Sequence, residues 1–166
     1  MISNAPWKHP NFRAALPTGG FHTMFLKFWK KEPSPFESSG HPAEIPWQRD
    51  EHGYFFRLLR LHPAEAGLSG IGGVYVMWHR GVRPQWIYMG ATDDLGESIG
   101  QARDTQEVLS FEGRGSVYVT WAPIKSEYRD GVAVYLRNSL NPEIGIVFAP
   151  DRPLADVPPI AVLPPS

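Results

Sequence analysis

Proline sets the outer limits of regular structure in this chain. Its ring fixes φ and removes the backbone N–H, so it interrupts helix interiors and strand ladders. Of the 17 prolines, eight fall in residues 1–63, six in 146–166, and only Pro84, Pro123 and Pro142 in between. That distribution predicts a regular core over 68–148, an irregular N-terminal arm over 1–67 and a Pro-rich tail over 149–166. The first arm is not featureless. "YFFRLLRLH" (54–62) reads as a short strand or helix packed on the core.

Six Trp, six Tyr and nine Phe, within a chain that is 42% hydrophobic, are enough to fill such a core. There is no Cys, which removes disulfides, thiolate metal sites and cysteine nucleophiles together. The formal net charge of −1 gives no global field to attract nucleic acid. No charged start followed by an apolar run marks a secretory signal, and no run approaches the ~20 residues that span a bilayer. The expectation is a cytoplasmic protein.

Inside the core the periods are legible. "GGVYVMW" (72–78) and "QWIYMG" (85–90) are β-branched and aromatic, as strands prefer. "HRGVRP" between them supplies the Gly and Pro of a turn, so the two runs are expected to pair as an antiparallel hairpin. "TDDLGESIGQAR" (92–103) opens like a helix, with Thr and two Asp at its start. "GSVYVTWAPI" (115–124) alternates as a third strand. "SEYRDGVAVYLRNSL" (126–140) is helical, with Val132, Leu136 and Leu140 at four-residue spacing, and Asn141-Pro142 ends it. "IGIVFAP" (144–150) is a further candidate for an edge strand. The expected fold is α+β: a small three-stranded antiparallel sheet in β-β-α-β-α order, flanked by helices, with irregular Pro-rich arms on both sides.

Gly73-Val74-Tyr75 followed by Tyr88-Met89-Gly90 resembles the paired signature of the GIY-YIG nuclease domain. "YMGATDDL" and the helix ending "LNPEI" are similar to the runs that follow and close that signature, and the element order matches. The resemblance spans about 72–145. It implies that Tyr75 and Tyr88 face a shared pocket. It also implies that an arginine on the first helix steadies charge at the scissile phosphate, and that a glutamate on the later helix binds one divalent metal. Phosphoryl transfer relies on such charges for electrostatic stabilisation.

Carried over residue by residue, the arginine position falls on Ser98 and the glutamate position on Ala133. A neutral serine cannot offset phosphorane-like charge, and alanine offers no metal-binding oxygen. Arg103 lies further along the same helix but is turned roughly 140° around its axis from Ser98. Glu107, Glu112 or Glu127 could supply a carboxylate only from another element. Between 71 and 145 there are seven Lys+Arg against nine Asp+Glu, whereas a domain that clamps a polyanion carries a basic face.

Two expectations follow from this. The first is a catalytically inactive GIY-YIG-like domain serving as a protein-binding or scaffolding module, with no catalytic residue, metal or cofactor and with nucleic acid disfavoured. Its pocket would be formed by Tyr75, Tyr88, Gly90, His79 and Glu97. The alternative is a divergent Mg²⁺- or Mn²⁺-dependent DNA endonuclease using Tyr75, Tyr88, Arg103 and a relocated glutamate. Outside the core, "MFLKFWKKE" (24–32) sets Phe25, Phe28 and Trp29 on one helical side and Lys27, Lys30 and Lys31 on the other. Such a segment docks in a partner's groove or on a membrane surface, or packs on its own domain. If translation starts at Met24, this segment becomes an N-terminal anchor. His41, His52 and His62 recur too widely for zinc ligand pairs and have no Cys to assist, so no metal site is expected there. The tail is expected to lie along the surface through Ile160, Val162 and Leu163, or to stay disordered.

Overall fold

The computed structural model describes Phe36, residues 41–148 and residues 150–166. The segment 24–32, with Phe25, Lys27, Phe28, Trp29, Lys30 and Lys31, lies outside the described residues. Among the described residues the fold has four strands and three helices: β1 (Phe56–Arg57), β2 (Gly73–His79), β3 (Gln85–Thr92), α1 (Leu95–Asp104), α2 (Gln106–Leu109), β4 (Val117–Pro123) and α3 (Ser126–Leu140). The sheet is antiparallel, in the order β1-β4-β2-β3. The sequence predicts three strands. The fourth is β1, a two-residue strand pairing Phe56 with Val119 and Arg57 with Tyr118, which continues directly into a 3₁₀ turn at Leu58–Arg60. Two residues are too few to show an alternating pattern, so only the pairing with β4 defines it.

All seven residues of β2 are buried, because helices or arms cover both faces of the sheet. On one face, Tyr75, Met77, Val117, Val119 and Trp121 pack with Leu95, Ile99 and Ala102 of α1 and with Leu58 and Leu61. On the other, Val74, Val76, Trp78, Met89 and Ala91 pack with Val132, Ala133 and Leu136 of α3. Strand alternation assigns these faces, with one exception. The β2–β3 register runs Met77↔Tyr88 and then Trp78↔Trp86, skipping Ile87. The extra residue is a bulge in β3. It puts the consecutive residues Ile87 and Tyr88 on the same face, which a plain strand cannot do.

Asp94 caps α1, its side chain accepting the N–H of Glu97 at 3.0 Å and of Gly70 at 2.9 Å. This holds the loop before β2 against the helix start. α3 ends at Asn141, which adopts φ 46° and returns its N–H to the Arg137 carbonyl; Asn tolerates this left-handed C-terminal geometry and Pro142 prevents continuation.

Residues 144–148 form no strand, contrary to the expected edge strand. They do run beside β3, since the N–H groups of Glu143 and Ile144 reach the carbonyls of Trp86 and Ile87 at 3.0 and 2.9 Å. The tail then crosses the molecule. Arg152 N–H bonds Ala91 O at 2.7 Å, Ile160 N–H bonds Gly131 O at 2.9 Å, and Val162 bridges in parallel to Ala43. Val162 is fully buried, while Leu163 is exposed. No helix of the described residues is long and apolar enough to cross a membrane.

Candidate functional site

Tyr75 and Tyr88 sit diagonally across the β2–β3 hairpin, because Tyr75 pairs with Gly90 and Tyr88 with Met77. Their rings lie 5.8 Å apart and both are buried. Between their hydroxyls stands a carboxylate from the tail. Tyr75 Oη donates to Asp151 Oδ2 at 2.6 Å and Tyr88 Oη donates to the same oxygen at 2.5 Å. Asp151 is only 8% exposed, and its Oδ1 is buried without a hydrogen-bond partner. The backbone N–H of Phe148 donates to Tyr88 Oη at 3.2 Å, and the Phe148 ring lies 4.7 Å from that of Tyr88.

Gly90 makes this arrangement possible. A Cβ there would overlap Asp151 Oδ2 and lie 2.5 Å from Tyr75 Cε1. Gly90 thus leaves space beside the two tyrosines, and the chain's own Asp151 occupies it.

Burial raises the Asp151 carboxyl above the ordinary aspartate range, while the hydrogen bonds from Tyr75 and Tyr88 pull it back. Burial also pushes both phenols up, and the adjacent Asp151 charge adds to it. The tyrosines are therefore neutral donors at physiological pH. A buried carboxylate charge is tolerated when short charge-assisted bonds replace its hydration.

Ser98, at the position where the resemblance calls for an arginine, is buried beside this cluster. Its hydroxyl donates to Thr92 Oγ1 at 2.6 Å. Ala133, at the position of the glutamate, packs among Val74, Val76 and Leu136, on the sheet face away from the tyrosines. Arg103 points elsewhere too, donating to the Leu61 carbonyl at 3.1 Å and lying 3.6 Å from Asp104. Glu97 is exposed in the first turn of α1.

His79 is buried against Phe111, and both its ring nitrogens are engaged. Nδ1 accepts the Gly81 N–H at 3.2 Å, which leaves Nε2 as the donor to Gln85 Oε1 at 3.2 Å. Gln85 in turn donates to Glu143 at 2.6 Å. His79 thereby ties the hairpin turn to the chain that follows α3.

A buried charged group that sequence reasoning missed lies where α3 meets the start of β2. Arg129, almost fully buried, donates to the Ile124 carbonyl and pairs with Asp93. A Cβ at Gly72 would overlap its guanidinium. Arg152 lies 4.0 Å from Asp93 and 3.6 Å from Asp130. Asp151 and Arg152 thus enter side by side, the acid toward the tyrosines and the base toward two aspartates. The signal was faint: "DR" is the tail's only adjacent acid–base pair, bracketed by Pro150 and Pro153.

Among the described residues no cluster of three His, Asp or Glu side chains is placed to hold a metal ion. The tyrosine cluster fits one poorly. Mg²⁺ and Mn²⁺ take several oxygen ligands and Mg²⁺ keeps part of its water shell. Here there is one carboxylate, one of its oxygens doubly hydrogen-bonded and the other walled off from solvent. The chain matches no family model, no curated protein and no solved structure.

Proposed function

We propose that this chain is a GIY-YIG-like domain without phosphodiesterase activity that serves as a protein-binding or scaffolding module in the cytoplasm. The observation that carries this reading is the closure of the tyrosine pair by Asp151. Both hydroxyls are committed to one carboxylate oxygen, and a negative group fills the space where a phosphate would have to come. Without a cation at Ser98 or a carboxylate at Ala133, little remains to stabilise a transition state, and each such charge is worth several kcal/mol, or orders of magnitude in rate. The protein partner is met by the arms, and the basic-aromatic segment 24–32 supplies attachment to that partner or to a membrane surface.

One observation favours a second reading, a divergent divalent-metal-dependent endonuclease. A carboxylate does stand within hydrogen-bond reach of both tyrosines, on Asp151 instead of on α3. The decisive experiment is a cleavage assay on supercoiled, single-stranded and branched DNA with Mg²⁺ or Mn²⁺, with Tyr88→Phe and Asp151→Asn proteins alongside. No cleavage by any protein is the expected result. Cleavage by the unmodified protein that both substitutions abolish establishes the second reading and removes the first.

A further inference from the structure

At the other end of the sheet, β1 and the turns after it wall a groove of about 610 Å³. Its aromatic surface includes Tyr54, Phe56 and Tyr118, and its basic surface includes Arg57, Arg60 and Arg80. The arginines differ in how they are held. Arg57 bonds the Ser116 hydroxyl and so belongs to the wall. Arg80 is exposed and lies over the Tyr118 ring, 4.8 Å from its centroid. Arg60 is exposed, with no hydrogen bond or ion pair to a described residue. Tyr54 is 69% exposed, a large aromatic surface presented to solvent beside Arg60 and Arg80, neither of them ion-paired to a described residue.

We propose that this groove docks a short acidic segment of a protein partner, its carboxylates paired with Arg60 and Arg80 and an apolar side chain seated on Tyr54 and Phe56. The proposal rests on the binding-module reading and names the chemistry of the partner. Guanidinium forks match carboxylates bidentately, and a stacked arginine loses little freedom on binding. Exposed aromatic and arginine side chains are the groups that dominate protein interfaces. A peptide fits better than a nucleic acid because the wall also contains Asp50 and Glu65. A peptide can space its acids away from these, whereas a strand with a phosphate at every step cannot, and strong polyanion binding needs a continuous basic face.

The test starts from a random-peptide library selected on the full chain, with the Arg60→Glu/Arg80→Glu protein as the counter-selection target. Selected peptides should be enriched in Asp and Glu next to an aromatic or aliphatic residue. By fluorescence anisotropy, the best of them should bind the double variant about tenfold or more weakly, lose affinity with rising salt, and outcompete oligothymidylate of equal charge. Both positions are exposed, so circular dichroism and melting temperature should be unchanged. If the variant melts early, Arg60→Gln/Arg80→Gln replaces it with the same expectation. Peptides without acid enrichment, equal binding to the variant, or stronger binding of the oligothymidylate each overturn the proposal. A non-cleaving protein with such a result loses only the groove assignment, whereas DNA cleavage overturns the module reading whatever the groove binds.

Discussion

At the residue scale, the molecule turns on a glycine and an aspartate far apart in sequence. Gly90→Ala should cost about 1–3 kcal/mol by overpacking against Asp151 and Tyr75. Part of that loss should return in the Gly90→Ala/Asp151→Ala double mutant, since residues in contact couple by about 0.5–3 kcal/mol; urea unfolding of the four proteins measures the cycle. Asp151 also sets a pH dependence. Its folded carboxyl is raised, chiefly by burial, so folding favours the protonated form. That contribution is fully present below the ordinary aspartate value of about 4 and is lost as pH rises through the raised folded value. Relative to Asp151→Asn, the unmodified protein should therefore gain stability on acidification from pH 7 toward 4. Thermal melts of both proteins across that range check the sign. Tyr75 and Tyr88 were legible as a pair from the hairpin pattern. Asp151 was not, because nothing local in "APDRP" says where an acid in a proline-rich tail will land.

At the element scale, caps and the bulge matter most. Asp94 joins the start of α1 to the loop before β2 through two backbone bonds, and the Glu97 N–H holds its carboxyl below the usual range. Asp94→Ala should destabilise by about 1 kcal/mol, measured by denaturant midpoint. For a lowered carboxyl the sign reverses: the contribution is present above the ordinary value and is lost as pH falls through the folded one. The unmodified protein's advantage over Asp94→Ala should thus shrink in acid. Helix α3 was readable to its ends because its apolar spacing and the Asn-Pro stop are local signals. The bulge at Ile87 was not, since a one-residue shift in register exists only relative to the facing strand. It matters to the site, because it is what lets Ile87 and Tyr88 share a face.

At the scale of the whole molecule, the tail behaves as part of the fold. It threads past β3, delivers Asp151 and Arg152, follows α3 and buries Val162 and then Pro165 near its end. Val162→Asp places an unpaired charge in a fully buried position and should cost more than about 2 kcal/mol. Limited proteolysis should then cut first between 153 and 166, before any site in the sheet. Among the described residues β1 forms one edge of the sheet, and the arginine-lined groove lies beside it.

The sequence alone determined the local pieces: the hairpin, the third strand, both long helices, and the absence of charge at positions 98 and 133. These are readable because periodicity, caps and turn residues act over a few neighbours. Only the tertiary structure decided that β1 joins the sheet, that Ala133 and the tyrosines lie on opposite faces, and that Asp151 closes the tyrosine pair. Asp151 bonds Tyr75 across 76 residues of chain. A contact of that kind depends on the packing of everything between and leaves no period in the sequence.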